Sequence, residues 1–115
     1  MYKLLAIVAL TIGEGLMVYA EMIAARAHSL TESNFWPIFF KATAIMIISS
    51  TLLIAGYMHG YRGFKNIWVV SALSITLILI MEPFIGYLVF QQLPTRGAIY
   101  GLVFGTLGFV ATFVL

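Results

Sequence analysis

Four long apolar stretches dominate the sequence and limit what this chain can fold into. They cover residues 4–25, 37–59, 66–90 and 97–115, and the breaks between them are short and polar. An α-helix needs about 20 largely apolar residues to cross a bilayer, and each stretch approaches or exceeds that length. Strands of membrane barrels alternate polar and apolar residues over about 10 positions, whereas these runs are continuous. We therefore predict an all-α membrane protein in which residues 1–115 form a single domain of four transmembrane helices.

The composition of the chain supports a bilayer environment and argues against catalysis. Apolar residues make up 63% of the 115 positions and charged residues only 9%, against about 25% charged residues in soluble domains. The lack of cysteine excludes disulfides and thiolate chemistry. No metal-binding, nucleotide-binding or nucleophile motif is present. We therefore predict no enzymatic activity, no cofactor, no metal site and no nucleic-acid partner.

The short breaks favour antiparallel neighbours, and so an up-and-down four-helix bundle. The first break includes Glu32, which we expect to lie in a loop. The bases at the helix ends give little orientation bias under the positive-inside rule. Three of them lie on the N-terminal side and two or three on the other: Lys3, Arg62 and Lys65 against Arg26 and Arg96, with Lys41 just inside helix 2. This count slightly favours cytoplasmic termini. Insertion of the chain in both orientations is equally compatible with such a small difference.

Four ionisable residues lie inside the predicted spans, where charge is costly and is by default a sign of function. They are Glu14, Glu21, Lys41 and Glu82. At 1.5 Å of rise per residue, Glu14 lies near the middle of helix 1 and Glu21 about 10 Å further towards the first loop. The spacing of seven places both glutamates on one helix face. Glu21, Lys41 and Glu82 are predicted to share one half of the membrane.

Two interpretations of these charges remain open. In the functional one they line a polar cavity, where a carboxylate in a low dielectric carries a proton that a cationic substrate displaces. In the structural one Lys41 neutralises Glu21 or Glu82, or extends its ammonium group to the interface. Glu14 has no obvious partner at its depth, which favours function. Pro83, directly after Glu82, is expected to bend or break helix 3.

Helix 4 carries no ionisable residue inside the span, and its glycines form a regular pattern. Spacings of four, four and three residues place them on one face: Gly97, Gly101, Gly105 and Gly108. In lipid, such small residues allow helices to approach closely. The pattern predicts a packing surface, either within the chain or against a second copy. Because four helices enclose little space for a substrate, we expect dimerisation through helix 4.

The motifs resemble those of the small multidrug resistance family, a four-helix branch of the drug/metabolite transporter superfamily. Length and helix number match, and helix 1 carries a membrane-embedded glutamate. Trp36-Pro37 opens helix 2 much as a Trp-Pro does in the family, and Trp68, 31 residues after Pro37, falls where the family has its helix 3 tryptophan. Gly101 and Gly108 reproduce a seven-residue glycine repeat. The segment from residue 82 to residue 108, with its Glu-Pro start, is similar to the end of larger superfamily members.

This resemblance implies an antiparallel homodimer that exchanges protons for cationic, often aromatic, compounds at paired helix 1 glutamates. That carboxylate corresponds to Glu14 by position along the chain and to Glu21 by local pattern, so both are candidates. Trp68 is implied as an aromatic wall beside the cation, which fits a cation–π contact. The alternative for Trp68 is an interfacial tryptophan near the start of helix 3.

Several departures mark the chain as a divergent relative. The family's Gly-x-Gly hinge in helix 3 is missing, and Ser71 and Ser74 are the nearest small residues. Lys65 occupies the position of a usual tyrosine, and Lys41 and Glu82 are additional charges. These changes suit a relative that handles anionic, zwitterionic or lipid-linked substrates.

The sequence thus predicts a small transporter subunit of a bacterial or archaeal inner (plasma) membrane, surrounded by lipid. We expect it to export a small cationic or amphipathic compound in exchange for protons, by alternating access in a homodimer or with a paired small membrane subunit. One alternative is a flippase-like subunit, in which Lys41, Arg62 and Lys65 meet the phosphate of a lipid-linked substrate. Another is a non-transporting structural subunit of a larger membrane complex.

Overall fold

The structure is a computed structural model that describes residues 1–30 and 34–115. Four α-helices account for nearly all of this part: α1 is Tyr2–His28, α2 is Phe35–Phe64, α3 is Ile67–Phe90 and α4 is Arg96–Val114. All four are long and apolar enough to cross a membrane. The prediction of an all-α protein with four membrane-spanning helices is confirmed, and the chain is an integral membrane protein. Glu32, expected in the first loop, lies outside the described residues.

Helix caps mark where the apolar runs begin and end. The side chains of Asn34, Asn66 and Thr95 accept hydrogen bonds from the first turns of α2, α3 and α4, which satisfies amide groups that have no partner inside a helix. Helices α2 and α3 end at Lys65 and Gln91, whose φ angles of 58° and 57° are left-handed. Helix α2 continues through the glycine-containing segment 60–64, which the sequence placed in a loop, so only Lys65 and Asn66 separate α2 from α3.

Helix α1 is central to the packing. Its largest interface is with α2 and its next largest with α3, whereas α4 contacts only α3 among the described residues. The side chains that are fully buried include Leu10 and Val18 of α1 and Val70 of α3. No residue of α4 is buried. The Cα positions extend over 49 × 33 × 16 Å, so the four-helix bundle is a flattened array.

Glycines of α2, rather than those of α4, set the closest helix approach. A Cβ atom at Gly56 would lie 2.8 Å from Leu10 Cδ2, and one at Gly60 would lie 3.0 Å from Val70 Cγ1. At Gly63 it would lie 2.9 Å from the backbone nitrogen of Lys3. Small residues along one face of α2 therefore bring it against α1 and the start of α3, as small-residue spacings do in membrane helices.

The helix break considered at Pro83 does not occur. Helix α3 is continuous from Ile67 to Phe90 with Pro83 inside it. Proline removes one backbone hydrogen bond, but membrane helices accommodate this where neighbouring helices pack around the freed group. Here α4 lies beside this part of α3, since Gly105 of α4 approaches the Leu79 side chain one turn before the proline.

Candidate functional site

The carboxylate of Glu14 lies at the centre of the helix array and is 2% exposed. The Ser74 hydroxyl of α3 donates a hydrogen bond to Glu14 Oε1. Glu14 Oε2 is buried and receives no hydrogen bond from the described part of the chain. An incompletely paired carboxylate in a low-dielectric setting is costly, so the arrangement marks this position as a candidate site for a proton or a cation.

A second buried hydroxyl packs against the same turn of α1. Ser49 of α2 is almost fully buried, and its Oγ donates to the carbonyl oxygen of Gly13 over 2.6 Å. Gly13 precedes Glu14, so α2 and α3 each contribute one serine to the same turn of α1. In the sequence Ser74 stands out only as a small residue of helix 3, and nothing singles out Ser49. Both serines could have been identified from the sequence as polar residues of neighbouring helices that lie at the same membrane depth as Glu14.

Apolar side chains close the Glu14 position on both sides along α1. Leu10 and Val18, one turn before and one turn after it, are fully buried. Residues four apart lie on the same helix face, so buried apolar side chains flank Glu14 on both sides along α1.

Glu21 lies in a different environment, a cleft of about 350 Å³ between α1 and α2. The cleft is at the end of the molecule where α1 finishes and α2 begins, and its lining is mostly apolar and aromatic. The lining side chains include His28, Phe35, Phe39 and Met46. His28 and Phe35 pack edge to face with ring centroids 5.6 Å apart. Glu21 itself is exposed, so the two helix 1 glutamates share a face and differ in burial.

Lys41 does not neutralise Glu21 within the chain. It lines a second groove, of about 180 Å³, that shares Ala24, Ile38 and Ala42 with the Glu21 cleft and lies on the other side of the α1–α2 contact. Within residues 1–30 and 34–115, no ion pair joins Lys41 to a glutamate. Within the single chain, Lys41 therefore does not serve as the partner of a buried carboxylate.

Glu82 and Trp68 also lie apart from Glu14. Glu82 is exposed on α3, two helical turns beyond Ser74, and forms no ion pair with any described residue. Trp68 is 74% exposed near the start of α3. This tryptophan is six residues, about 9 Å along the helix, from Ser74. Of the five candidate site residues from the sequence, only Glu14 is buried among the helices.

The four glycines of α4 divide into two groups. A Cβ atom at Gly105 would lie 3.1 Å from Leu79 Cδ2, so this glycine packs against α3 within the chain. At Gly97, Gly101 and Gly108 nothing lies within 4 Å of such an atom. Three of the four positions predicted for packing therefore face open space and are free to contact lipid or another protein.

Comparison with known proteins gave no match among family models, curated proteins or solved structures. The resemblance to the small multidrug resistance family therefore stays a prediction from the sequence. Among the described residues no group of three or more histidines or carboxylates is placed to hold a metal ion. The candidate chemistry is therefore that of the Glu14 carboxylate with the Ser74 hydroxyl, and of the Glu21 carboxylate beside aromatic rings.

Proposed function

We propose that the protein is a subunit of a small membrane transporter that exports a cationic or amphipathic compound in exchange for protons, by alternating access in a dimer. The observation that carries this proposal is Glu14, whose buried carboxylate accepts a hydrogen bond from α3 and has one oxygen without a donor among the described residues. Ionisable residues in this setting are typical of proton relays and substrate pathways. A purely structural role would be better served by an apolar side chain of similar size.

Proton coupling follows from the chemistry of an isolated carboxylate. Protonation removes the charge of Glu14, and so removes the cost of holding an anion among Leu10, Val18 and Ser74. A bound cation has the same effect, because it supplies the opposite charge. Proton and cation then exclude one another at one carboxylate. Alternating exposure of that carboxylate to the two sides of the membrane converts this exclusion into exchange.

The Glu21 cleft supports a cationic, amphipathic substrate. Its lining offers one carboxylate beside aromatic and aliphatic side chains, which matches a compound with a positive group and an apolar body. Aromatic faces such as those of Phe35 and Phe39 attract cations. We assign Glu21 to the approach of the substrate and Glu14 to exchange with the proton, since the two lie about 10 Å apart on one face of α1.

Transport into liposomes tests the proposal. With tetraphenylphosphonium as the probe cation and a pH gradient as the driving force, Glu14→Gln should abolish proton-driven uptake because it cannot bind and release a proton. Glu14→Asp, which keeps the carboxylate, should retain part of the rate. Glu21→Gln should raise the KM more than it lowers the maximal rate. Full proton-driven uptake by the Glu14→Gln protein would overturn the assignment.

Helix α4 favours a second candidate, a non-transporting subunit that packs into a larger membrane complex. Three of its glycines face open space and none of its residues is buried, so a partner helix fits this side as well as a second copy does. Purification from the native membrane distinguishes the two. A fixed stoichiometric partner together with no tetraphenylphosphonium binding favours the structural subunit, whereas a homodimer that binds the cation favours the transporter.

A further inference from the structure

Three bases form a rim at the end of the molecule where α1 begins, α2 ends and α3 begins. They are Lys3, Arg62 and Lys65, which we call the basic rim. All three are exposed. The residues come from the first turn of α1, the last turn of α2 and the connection to α3. Their proximity therefore depends on how these helices pack, and the sequence alone gives only a count of bases on this side.

Packing between α1 and α2 holds two of these bases in place. Because Gly63 has no side chain, the last turn of α2 lies directly against the backbone of Lys3. The Arg62 guanidinium lies over the Tyr2 ring, 4.8 Å from its centroid, and Lys3 Nζ lies 5.4 Å from the centroid of Phe64. Each base thus rests on an aromatic ring of the neighbouring helix, a cation–π arrangement. The conformational entropy lost on binding an anion is smaller for side chains that are already ordered.

No described glutamate lies at this end of the molecule to balance the charge. The nearest glutamate along α1 is Glu14, eleven residues from Lys3 and so roughly 16 Å away along the helix. None of the three bases of the basic rim forms an ion pair with a described residue. At the opposite end the bases lie in the same half of the molecule as Glu21 and Glu82. The net positive charge of the described side chains is therefore greater at the basic rim than at the opposite end.

We propose that the basic rim binds the phosphate head group of an anionic phospholipid. The rim borders exposed apolar side chains of the membrane-spanning helices, among them Leu4, Ile67 and Trp68, and an exposed tryptophan there is typical of the head-group level. A lipid places its phosphate at the rim and its acyl chains along these side chains, which a free phosphate ion does not. The Arg62 guanidinium suits bidentate contact with phosphate oxygens. This proposal does not depend on the transport function.

Lipid binding to the purified full chain tests the proposal. Native mass spectrometry from micelles that contain equal amounts of phosphatidylglycerol and phosphatidylcholine reports the preference for the anionic lipid. Each base near an anionic surface contributes a factor of about five in affinity. Lys3→Gln/Arg62→Gln should therefore weaken phosphatidylglycerol binding by roughly 30-fold. The matched control Arg26→Gln/Arg96→Gln removes the same charge at the other end and should leave the preference unchanged.

A charge-preserving variant separates charge from folding. Lys3→Arg/Arg62→Lys should keep most of the preference for phosphatidylglycerol, even if the packing on Tyr2 and Phe64 changes. Three results would overturn the proposal: equal binding of both lipids by the unmodified protein, equal loss in the control variant, or displacement of the lipid by inorganic phosphate at equal concentration. The last of these would identify a soluble-anion site instead.

Discussion

At the level of single residues, Glu14 combines deep burial with an incomplete set of hydrogen bonds. One oxygen accepts from Ser74 and the other has no donor among the described residues. Ser49 fixes the adjacent turn by donating to the Gly13 carbonyl. Glu21, on the same helix face, is exposed in a cleft. Burial thus separates two glutamates that their sequence patterns left equivalent, and it supports Glu14 as the proton-carrying group.

The hydrogen bond from Ser74 gives the first prediction. Ser74→Ala leaves both oxygens of Glu14 without a donor among the described residues, and we expect the free energy of unfolding to fall by about 1–3 kcal/mol. Thermal unfolding in detergent measures this loss. Ser71→Ala, one turn earlier and only partly buried, serves as the control and should change stability by less than about 0.5 kcal/mol. Equal effects of the two substitutions would show that the Ser74 hydroxyl does not support the carboxylate.

At the level of the helices, the glycines of α2 and α4 have opposite surroundings. Gly56, Gly60 and Gly63 face α1 and α3 at distances that leave no room for a side chain. Gly101 and Gly108 of α4 face open space. The glycine face of α4 was prominent in the sequence because its spacing is regular. The glycines of α2 lie partly in a segment that was predicted to be a loop, which concealed their role.

Alanine substitutions test this contrast. In Gly63→Ala the new Cβ meets the Lys3 backbone, which cannot move aside as a flexible side chain does, and we expect a loss of about 1–3 kcal/mol in unfolding free energy. Gly97→Ala adds a methyl group in open space and should stabilise α4 by about 0.5–1 kcal/mol. Denaturation of both variants in the same detergent gives the comparison. A Gly63→Ala protein as stable as the unmodified chain would mean that α1 and α2 do not approach so closely.

The number and the approximate bounds of the helices could be predicted, because the length of an apolar run is the dominant signal in a bilayer protein. The rotation of each helix about its axis could not. Apolar residues surround these helices on all sides, so no amphipathic stripe marks the inward face. The sequence therefore placed Glu21, Lys41 and Glu82 together by depth. In the folded chain each is exposed, and Lys41 lies across the α1–α2 contact from Glu21.

At the level of the whole molecule, the thin array of helices leaves broad apolar surfaces uncovered. The smallest extent of the Cα positions is 16 Å, and α4 contacts only α3 in the part of the chain that is described. Lipid can cover much of this surface. The open glycines of α4 add a side that suits close contact with another helix, and in the proposed dimer a second copy would pack there.

Cross-linking tests pairing through α4, and the chain is suited to it because it has no native cysteine. Gly101→Cys and Gly108→Cys lie on either side of the middle of α4. In an antiparallel dimer, a mixture of the two variants should cross-link with a short bismaleimide, because position 101 of one copy then faces position 108 of the other. In a parallel dimer each variant cross-links with itself. Gly105→Cys, which faces Leu79 within the chain, is the control, and cross-linking of this variant alone would contradict pairing through the open face.

The most direct test of the central claim is the release of protons when the purified protein binds a cation. Tetraphenylphosphonium is added to the detergent-solubilised protein in weakly buffered solution, and a pH indicator counts the protons. Because cation and proton are expected to exclude one another at one carboxylate, binding should release roughly one proton per cation. Glu21→Gln should retain this release and Glu14→Gln should lose it. Undiminished release from the Glu14→Gln protein would contradict the assignment of Glu14 as the exchanging group.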